Sequence, residues 1–316
     1  MIVETMEFES YEDFYQELFD MNCLKEKYKN FVFRGEDSAV YSLLPSALRT
    51  EKVFIDRLAD LGQIGNIAGA NTGILDHLNA EFQILRRFYI AANDNGLRLP
   101  KSITFENAYL DVNRHWSLSL MFNEKQKWLD EDMLEIAALA QHYGLPTRML
   151  DFTFDIFTAL YFASSGSYNG INNEDHLVIW ALGYKSHRFY PTMVDKIPIR
   201  FVVPRYINNP NLSAQKGLFI LWVTEYNFAD IENYPQIDRT PIDEQLLRYD
   251  KEDQETLLYK ILIPKSEKLK IATYLSSQGY SAAKLFPGYK GVVDMLEEES
   301  NRFFAKWGNK HPFYKI

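Results

Sequence analysis

The spacing of hydrophobic residues predicts that helices dominate the first half of the chain and strands the second. Apolar residues recur every three or four positions in the helical segments, whereas short β-branched and aromatic runs mark the strands. This segregation favours an α+β fold over a doubly wound sheet. The predicted helices cover 10–28, both ends of 53–92, 105–128, 130–140, 155–163, 266–277 and 291–306, and the predicted strands cover 31–33, 176–182, 199–204, 218–223 and 257–263.

A polar segment at 141–153 separates two hydrophobic helices near the middle of the chain. Gly144 is predicted to end the first helix, and Pro146 prevents its resumption. Asp155 is able to cap the second helix, and the residues between are interpreted as a helix exit and loop. Loops held between rigid elements often carry functional side chains. We therefore expect a site here, with His142, Tyr143, Thr147, Arg148 and Asp151 as candidates.

Composition places the chain among ordinary folded proteins. Hydrophobic residues make up 47% of its 316 residues and charged residues 24%, which is typical of a globular domain. We expect one domain over 1–316 with a helical insertion at about 50–130. The net charge of -9 repels nucleic acid at long range, so any nucleic-acid binding must use a local basic patch.

Several classes of site are disfavoured by the sequence. Cys23 is the single cysteine, which excludes an internal disulfide and a cysteine metal cluster and suits a reducing compartment. The six histidines lack metal-ligand spacing, so no metal is expected. A phosphate-binding loop and a serine nucleophile elbow are also missing. Without a signal peptide or a long apolar run, the protein is expected in the cytoplasm and not in a membrane.

Four short motifs resemble those of the FRG domain family, named for a Phe-Arg-Gly signature. Phe33-Arg34-Gly35, followed by Leu44-Pro45-Ser46 and Arg49, is similar to the first motif. The segment 141–153 with the helix after it resembles the second, and 214–219 resembles the third. A weaker fourth is found at 285–287. The order of the motifs and the length of the second make this resemblance fairly specific.

The resemblance implies a function. FRG proteins occur among bacterial toxins and phage-defence systems, and the motif arrangement is similar to that of DarT-type ADP-ribosyltransferases, which modify nucleic acid. It implies an ADP-ribosyltransferase-like core with a mixed or antiparallel sheet, and NAD as the substrate that donates ADP-ribose. The expected partners are a nucleic-acid acceptor, RNA more than DNA, and a neutralising antitoxin protein. By the same resemblance, Arg34 anchors NAD, but 215–217 offers no glutamate as the catalytic acid.

The chemistry of transfer from NAD assigns expected roles to the candidate residues. Arg34 and Arg148 are the cations that could pair with phosphate, and Tyr143 or Tyr161 could stack on nicotinamide. His142 could hydrogen-bond ribose or take a proton. Asp151 is the preferred acid, and Gln215 could orient ribose. The catalytic set is thus Arg34, His142, Tyr143, Asp151 and Gln215, and the NAD-binding set is Arg34, Thr147, Arg148 and Tyr161.

Structural roles for the same residues stay open at this stage. Arg148 could form a salt bridge with Asp151 or Asp155, Tyr161 could belong to the core, and Asp151 could be a helix cap. Two other functions also remain. One is a metal-independent ribonuclease in which His142, Arg148 and Lys216 surround a phosphate, and the other is a non-enzymatic nucleotide sensor. A protein acceptor would need no basic groove.

Overall fold

A computed structural model describes most of the chain. The described residues are 1–19, 28–64, 73–110, 126–168, 175–190, 196–207, 209–227, 236–251 and 255–307. Parts of the predicted helices at 10–28 and 105–128, and the glycine-rich middle of 53–92, lie outside these ranges. Among the described residues, no helix combines the length and the apolar character needed to cross a membrane.

A seven-stranded mixed sheet forms the centre of the fold, in the order β1-β9-β5-β2-β4-β7-β6. β1 runs parallel to β9, and the other neighbours are antiparallel. β3 and β8 form a separate two-stranded sheet. The strands are β1 (Val3–Glu7), β2 (Phe31–Glu36), β3 (Gln126–Trp128), β4 (Met149–Thr153), β5 (His176–Gly183), β6 (Ile199–Val202), β7 (Gly217–Trp222), β8 (Thr224–Tyr226) and β9 (Leu258–Pro264).

Eleven α-helices surround the sheet within the described ranges. The expectation of helices combined with a mostly antiparallel sheet is therefore confirmed. The helices are α1 (Tyr11–Phe19), α2 (Lys52–Gly62), α3 (Ile74–Asp94), α4 (Ile103–Leu110), α5 (Leu134–His142), α6 (Ile156–Ser164), α7 (Pro210–Ala214), α8 (Ile242–Leu247), α9 (Lys268–Ser277), α10 (Ala282–Leu285) and α11 (Tyr289–Trp307).

Two groups of helices pack on different parts of the sheet. α1, α6 and α9 bury apolar side chains against β2, β5 and β9. α3 and α5 pack against the ends of β4 and β7 in a second cluster, which also includes Trp128 of β3 and Tyr226 of β8. Leu150 and Phe152 of β4 belong to a third cluster with Val32. Because side chains alternate along a strand, Asp151 lies on the face opposite to these two β4 residues.

The structure corrects the prediction of a loop at 141–153. Met149–Thr153 is a strand in the interior of the sheet, and it pairs with β7 over five residues. The strand was not predicted from the sequence because the polar residues Thr147, Arg148 and Asp151 interrupt its short apolar pattern. The ends of the segment are as predicted, because Gly144 follows α5 with a φ of +84° and Asp155 caps α6 by accepting a hydrogen bond from the Phe157 N–H.

One other expectation about secondary structure was wrong. The predicted helix over 105–128 ends as a strand, since β3 pairs antiparallel with β8. β1 had no predicted counterpart, and it pairs with β9 from Val3 to Glu7. In both cases the partner strand is distant in sequence, so local periodicity carries no sign of the pairing.

Gly35 allows β2 to lie directly against the backbone of α6. A Cβ atom built on Gly35 would be 1.8 Å from the carbonyl oxygen of Ala159 and 2.6 Å from its carbonyl carbon. Neither backbone atom can move away without displacing the helix. Glycine is therefore required at this position by the close approach of two main chains.

We expect Gly35→Ala to lower the free energy of unfolding by about 3 kcal/mol or more, because α6 or β2 must shift to admit the methyl group. Urea denaturation of the purified variant measures the loss. Gly279→Ala is the control, since its Cβ would meet no atom within 4 Å and only its φ of +77° is unfavourable. That substitution should cost about 1–2 kcal/mol. Equal losses in the two variants would contradict the steric explanation.

Candidate active site

The four motif segments meet at one cavity of about 460 Å³, which we call the motif cavity. It lies where the helix group of α6 and the helix group of α5 leave part of β2 and β4 uncovered. The lining residues are Phe33, Arg34 and Gly35 of β2, Gln141, His142 and Gly144 at the end of α5, Asp151, Phe152 and Thr153 of β4, Ala159 and Phe162 of α6, Gln215 after α7, and Phe286 after α10.

The pairing between β2 and β4 is unusually short and ends beside this cavity. The two strands share one registered pair, Phe33 with Thr153. β2 pairs with β5 over six residues and β4 pairs with β7 over five, so each strand is held firmly on its other side. Arg34 Nη1 donates a hydrogen bond to the Asp151 carbonyl at 3.0 Å. Where the ladder stops, an arginine side chain thus connects the two strands.

Arg34 also forms an ion pair within its own strand. Its Nε and Nη2 donate to Glu36 Oε1 at 3.1 and 2.8 Å. Its Nη1 lies 3.8 Å from Asp151 Oδ2. A guanidinium group has five N–H donors, and these hydrogen bonds use three of them. The remaining donors are available to a ligand at the cavity wall, as far as the described residues are concerned.

Asp151 is held by a chain of hydrogen bonds. Gln141 Nε2 donates to Asp151 Oδ2 at 2.9 Å, and Gln141 Oε1 accepts from the Thr147 hydroxyl at 2.7 Å. Thr147 Oγ1 in turn accepts from the Met149 N–H at 3.1 Å. Thr147 is itself buried, so its contribution to the cavity is to fix Gln141. The carboxylate is therefore positioned by α5 as well as by its own strand.

Burial raises the pKa of the Asp151 carboxyl above its usual value, although Arg34, Gln141 and His142 act in the opposite direction. The side chain still lines the cavity and is 47% exposed. Burial lowers the pKa of His142, against the opposing effect of Asp151. The imidazole is therefore neutral at pH 7 and able to accept a proton.

Gln215 and Lys216 lie close together but differ in their positions relative to the cavity. Gln215 lines it, and its Nε2 donates to the Leu285 carbonyl at 3.0 Å, which links the third motif to the fourth. The Thr153 hydroxyl donates to the Gln215 carbonyl at 2.7 Å. Lys216, with a φ of +47°, directs its Nζ to Asp155 Oδ2 at 3.3 Å.

Four of the predicted site residues do not line this cavity: Thr147, which acts through Gln141, and Tyr143, Arg148 and Tyr161. Arg148 is 4% exposed, and its Nε donates to both carboxylate oxygens of Glu81 at 2.8 Å. Tyr161 is buried and its hydroxyl donates to Glu298. Tyr143 is 58% exposed but lines a different cavity on the other side of the α5 terminus. The salt bridge considered for Arg148 thus exists, with Glu81 of α3 and not with Asp151 or Asp155.

An adjoining cavity of about 350 Å³ is lined by Asp37 and by Glu36 and Arg49, none of which sequence reasoning had assigned to the site. Arg34 and Phe162 line both cavities. Glu36 is 10% exposed, and its Oε2 is buried with no hydrogen-bond partner among the described residues. Arg49 lies 4.9 Å over the Phe54 ring, and its Nε donates to the Leu44 carbonyl. Glu36 and Arg49 lie in or directly after the first motif, which was the available signal.

The described residues contain no group of three or more His, Cys, Asp or Glu side chains able to hold a metal ion. The polar groups of the two adjoining cavities are instead arginines, carboxylates, an imidazole and amides. Such a set binds a polar organic ligand through hydrogen bonds and ion pairs.

Residues 29–170 match the model of the FRG domain family. The matched range contains the Phe33-Arg34-Gly35 segment and the whole of 141–153. It supports the FRG family that the motifs predicted. Comparisons with curated proteins and with solved structures find no match.

Arg148→Met should lower the free energy of unfolding by about 3–5 kcal/mol, because Glu81 would be left as an unpaired buried charge. Arg200→Met is the matched control, since Arg200 forms an exposed ion pair with Glu131 at 2.7 Å. Its loss should be at most about 1 kcal/mol. Urea denaturation of both variants measures the difference, and similar small losses would show that the Arg148 pair does not hold α3 on the sheet.

The same ion pair should make stability depend on pH in acid. Arg148 and His77 hold the pKa of Glu81 at about 2, although burial alone would raise it from its usual 4.5. A lowered pKa in the folded state stabilises the protein above about pH 4.5, and this contribution is lost as the pH falls toward 2. The stability difference between wild type and Glu81→Gln should therefore shrink over this range. A difference that stays constant, like that expected for the exposed control Glu131→Gln, would contradict the assignment.

Proposed function

We propose that this protein is an ADP-ribosyltransferase toxin that transfers ADP-ribose from NAD to nucleic acid, with RNA as the favoured acceptor. The observation that carries the proposal is the meeting of all four motif segments at one cavity that holds Arg34, His142, Asp151 and Gln215. The mixed, mostly antiparallel sheet is compatible with an ADP-ribosyltransferase-like core. A role in phage defence, a cytoplasmic location and a neutralising antitoxin rest on the family resemblance.

The residues of the two adjoining cavities fit the parts of NAD. Arg34 and Arg49 present planar cations that can pair with pyrophosphate oxygens. Phe33, Phe162 and Phe286 supply apolar walls for a flat ring. Glu36 holds the Arg34 guanidinium at the cavity wall through two hydrogen bonds, so the cation is already oriented for a ligand. The cavity volumes of about 460 and 350 Å³ fall within the range for ligand sites.

In the proposed reaction, the bond between the nicotinamide nitrogen and ribose C1′ breaks, and nicotinamide leaves with the bonding electron pair. An acceptor oxygen or nitrogen forms the new bond to C1′ and loses its proton. His142 is neutral and lies at the cavity wall, where it can accept that proton. Positive charge develops at the ribose in such a transition state, and the Asp151 carboxylate beside it is stabilising.

The ribonuclease alternative is not favoured by the arrangement of its residues. It requires His142, Arg148 and Lys216 around one phosphate. Of these, only His142 lines the motif cavity. Arg148 is buried against Glu81, and Lys216 is paired with Asp155.

Incubation of the purified chain with adenylate-labelled NAD and separate pools of RNA, DNA and protein tests the proposal. Label should enter nucleic acid, and RNA more than DNA. Label in protein alone would overturn the acceptor assignment, and no label in any pool would overturn the transferase. Cleavage of RNA without NAD would instead support the ribonuclease.

Arg34→Lys provides the matched test of the site, because it keeps the charge and removes the fork that holds Glu36 and Asp151. Transfer should fall roughly tenfold to a hundredfold, the range expected for loss of hydrogen bonds to a charged group. Arg200→Lys is the control, because Arg200 is exposed and lines neither cavity, and it should leave transfer unchanged. Full activity in Arg34→Lys would remove Arg34 from the proposed machinery.

A further inference from the structure

A second cavity, of about 590 Å³, lies across the α5 terminus from the motif cavity. It is bounded by the end of α3, the connection at 97–101, α5, and residues of 204–207 and 209–212. Tyr143 lines it, while the residues on either side, His142 and Gly144, line the motif cavity. The end of α5 therefore contributes neighbouring residues to both cavities.

The residues that line this second cavity carry a net positive charge, whereas the net charge of the whole chain is negative. Arg98, Lys101 and Arg205 line it, and none forms an ion pair or hydrogen bond with any residue that the structure describes. Glu135 is the one carboxylate among the lining residues. For a chain with a net charge of -9, three unpaired cations around one cavity form a local basic patch, which attracts an anionic chain.

Exposed flat and apolar surface lies among these cations. Tyr143 is 58% exposed, and its ring contacts that of His142 at 5.2 Å between centroids. Leu97 and Ile207 are 63% and 66% exposed. Cations interleaved with an exposed aromatic ring and apolar side chains match a nucleic-acid strand with unpaired bases, whose phosphates meet the cations while a base stacks on the ring.

We infer that this second cavity binds a single-stranded nucleic-acid segment and presents it to the motif cavity. Arg98, Lys101 and Arg205 neutralise phosphates, and Tyr143 stacks on a base. An acidic peptide would satisfy the cations but would leave the exposed ring and apolar walls without a partner. As the acceptor site of the transferase, this inference rests on the proposed function, whereas strand binding itself does not.

The test is fluorescence anisotropy of labelled single-stranded RNA and DNA of one sequence, with the RNA duplex and polyglutamate as competitors. Both single strands should bind the full chain more tightly than the duplex and polyglutamate, and the tighter one identifies the natural strand. Polyglutamate or duplex that competes as well as the single strand would overturn the inference.

Variants that remove the cations test whether the nucleic-acid strand binds at this second cavity. The combined change Arg98→Gln, Lys101→Gln and Arg205→Gln should weaken binding by roughly tenfold or more at about 0.1 M salt. It should also reduce the slope of log K against log salt by about 2, since each phosphate contact to a single strand contributes about 0.7. The control Lys29→Gln, Lys185→Gln and Lys306→Gln removes three exposed cations that line none of the cavities described above. Equal losses in the two triple variants would overturn the site.

Substitutions of Tyr143 test the contribution of stacking to strand binding separately from that of charge. Tyr143→Ala should weaken strand binding at least about fivefold, and Tyr143→Phe should retain it, because stacking needs the ring and not the hydroxyl. A loss in both variants alike would overturn the stacking role.

NAD consumption without an acceptor distinguishes failure of this inference from failure of the proposed function. The Arg98, Lys101 and Arg205 variant should consume NAD at the wild-type rate while transfer to nucleic acid falls. If the wild type consumes no NAD but this variant still loses strand binding, the surface stands and the transferase fails. Unchanged transfer in this variant would overturn the acceptor site.

Discussion

The close approach of β2 to α6 is the constraint from which the site follows. At Gly35 the strand backbone lies against the Ala159 carbonyl, leaving no room for a side chain. This contact fixes the height of α6 above the sheet, and with it the position of Phe162 at the cavity wall. Arg34, the neighbouring residue, is held by the same strand. The glycine of the Phe-Arg-Gly segment thus determines how closely α6 packs on β2, and the arginine lines the cavity that this packing leaves.

Two ion pairs of the protein differ in role: one stabilises the fold, and the other lies at the candidate site. The Glu81–Arg148 pair is buried between α3 and the sheet. Trp128 also donates a hydrogen bond to Glu81, and Tyr226 accepts one from Arg148. The Arg34–Glu36 pair lies at a cavity wall, and two of the five guanidinium donors have no partner among the described residues. Burial makes the first pair costly to disturb, whereas incomplete satisfaction makes the second suitable for a ligand.

The sequence predicts local elements better than long-range partners. The ends of 141–153 follow from Gly144 and Asp155, whose turn and cap act within a few residues. The strand inside that segment depends on β7, so its pattern alone is not enough. The same holds for the site. Motif position indicated Arg34, His142, Asp151 and Gln215, which line one cavity, but Arg148 turns to Glu81, a partner 67 residues away that no local pattern shows.

The parallel pairing of β1 with β9 has a consequence for the order of assembly during synthesis. Val3 pairs with Leu258, so β1 cannot form this pairing until β9 has been synthesised. Phe286, which closes one side of the motif cavity, leaves the ribosome later still. Contacts this distant in sequence form late and slowly. A growing chain therefore lacks a finished cavity until Phe286 has been translated, and any reactivity that depends on this cavity begins only after that point.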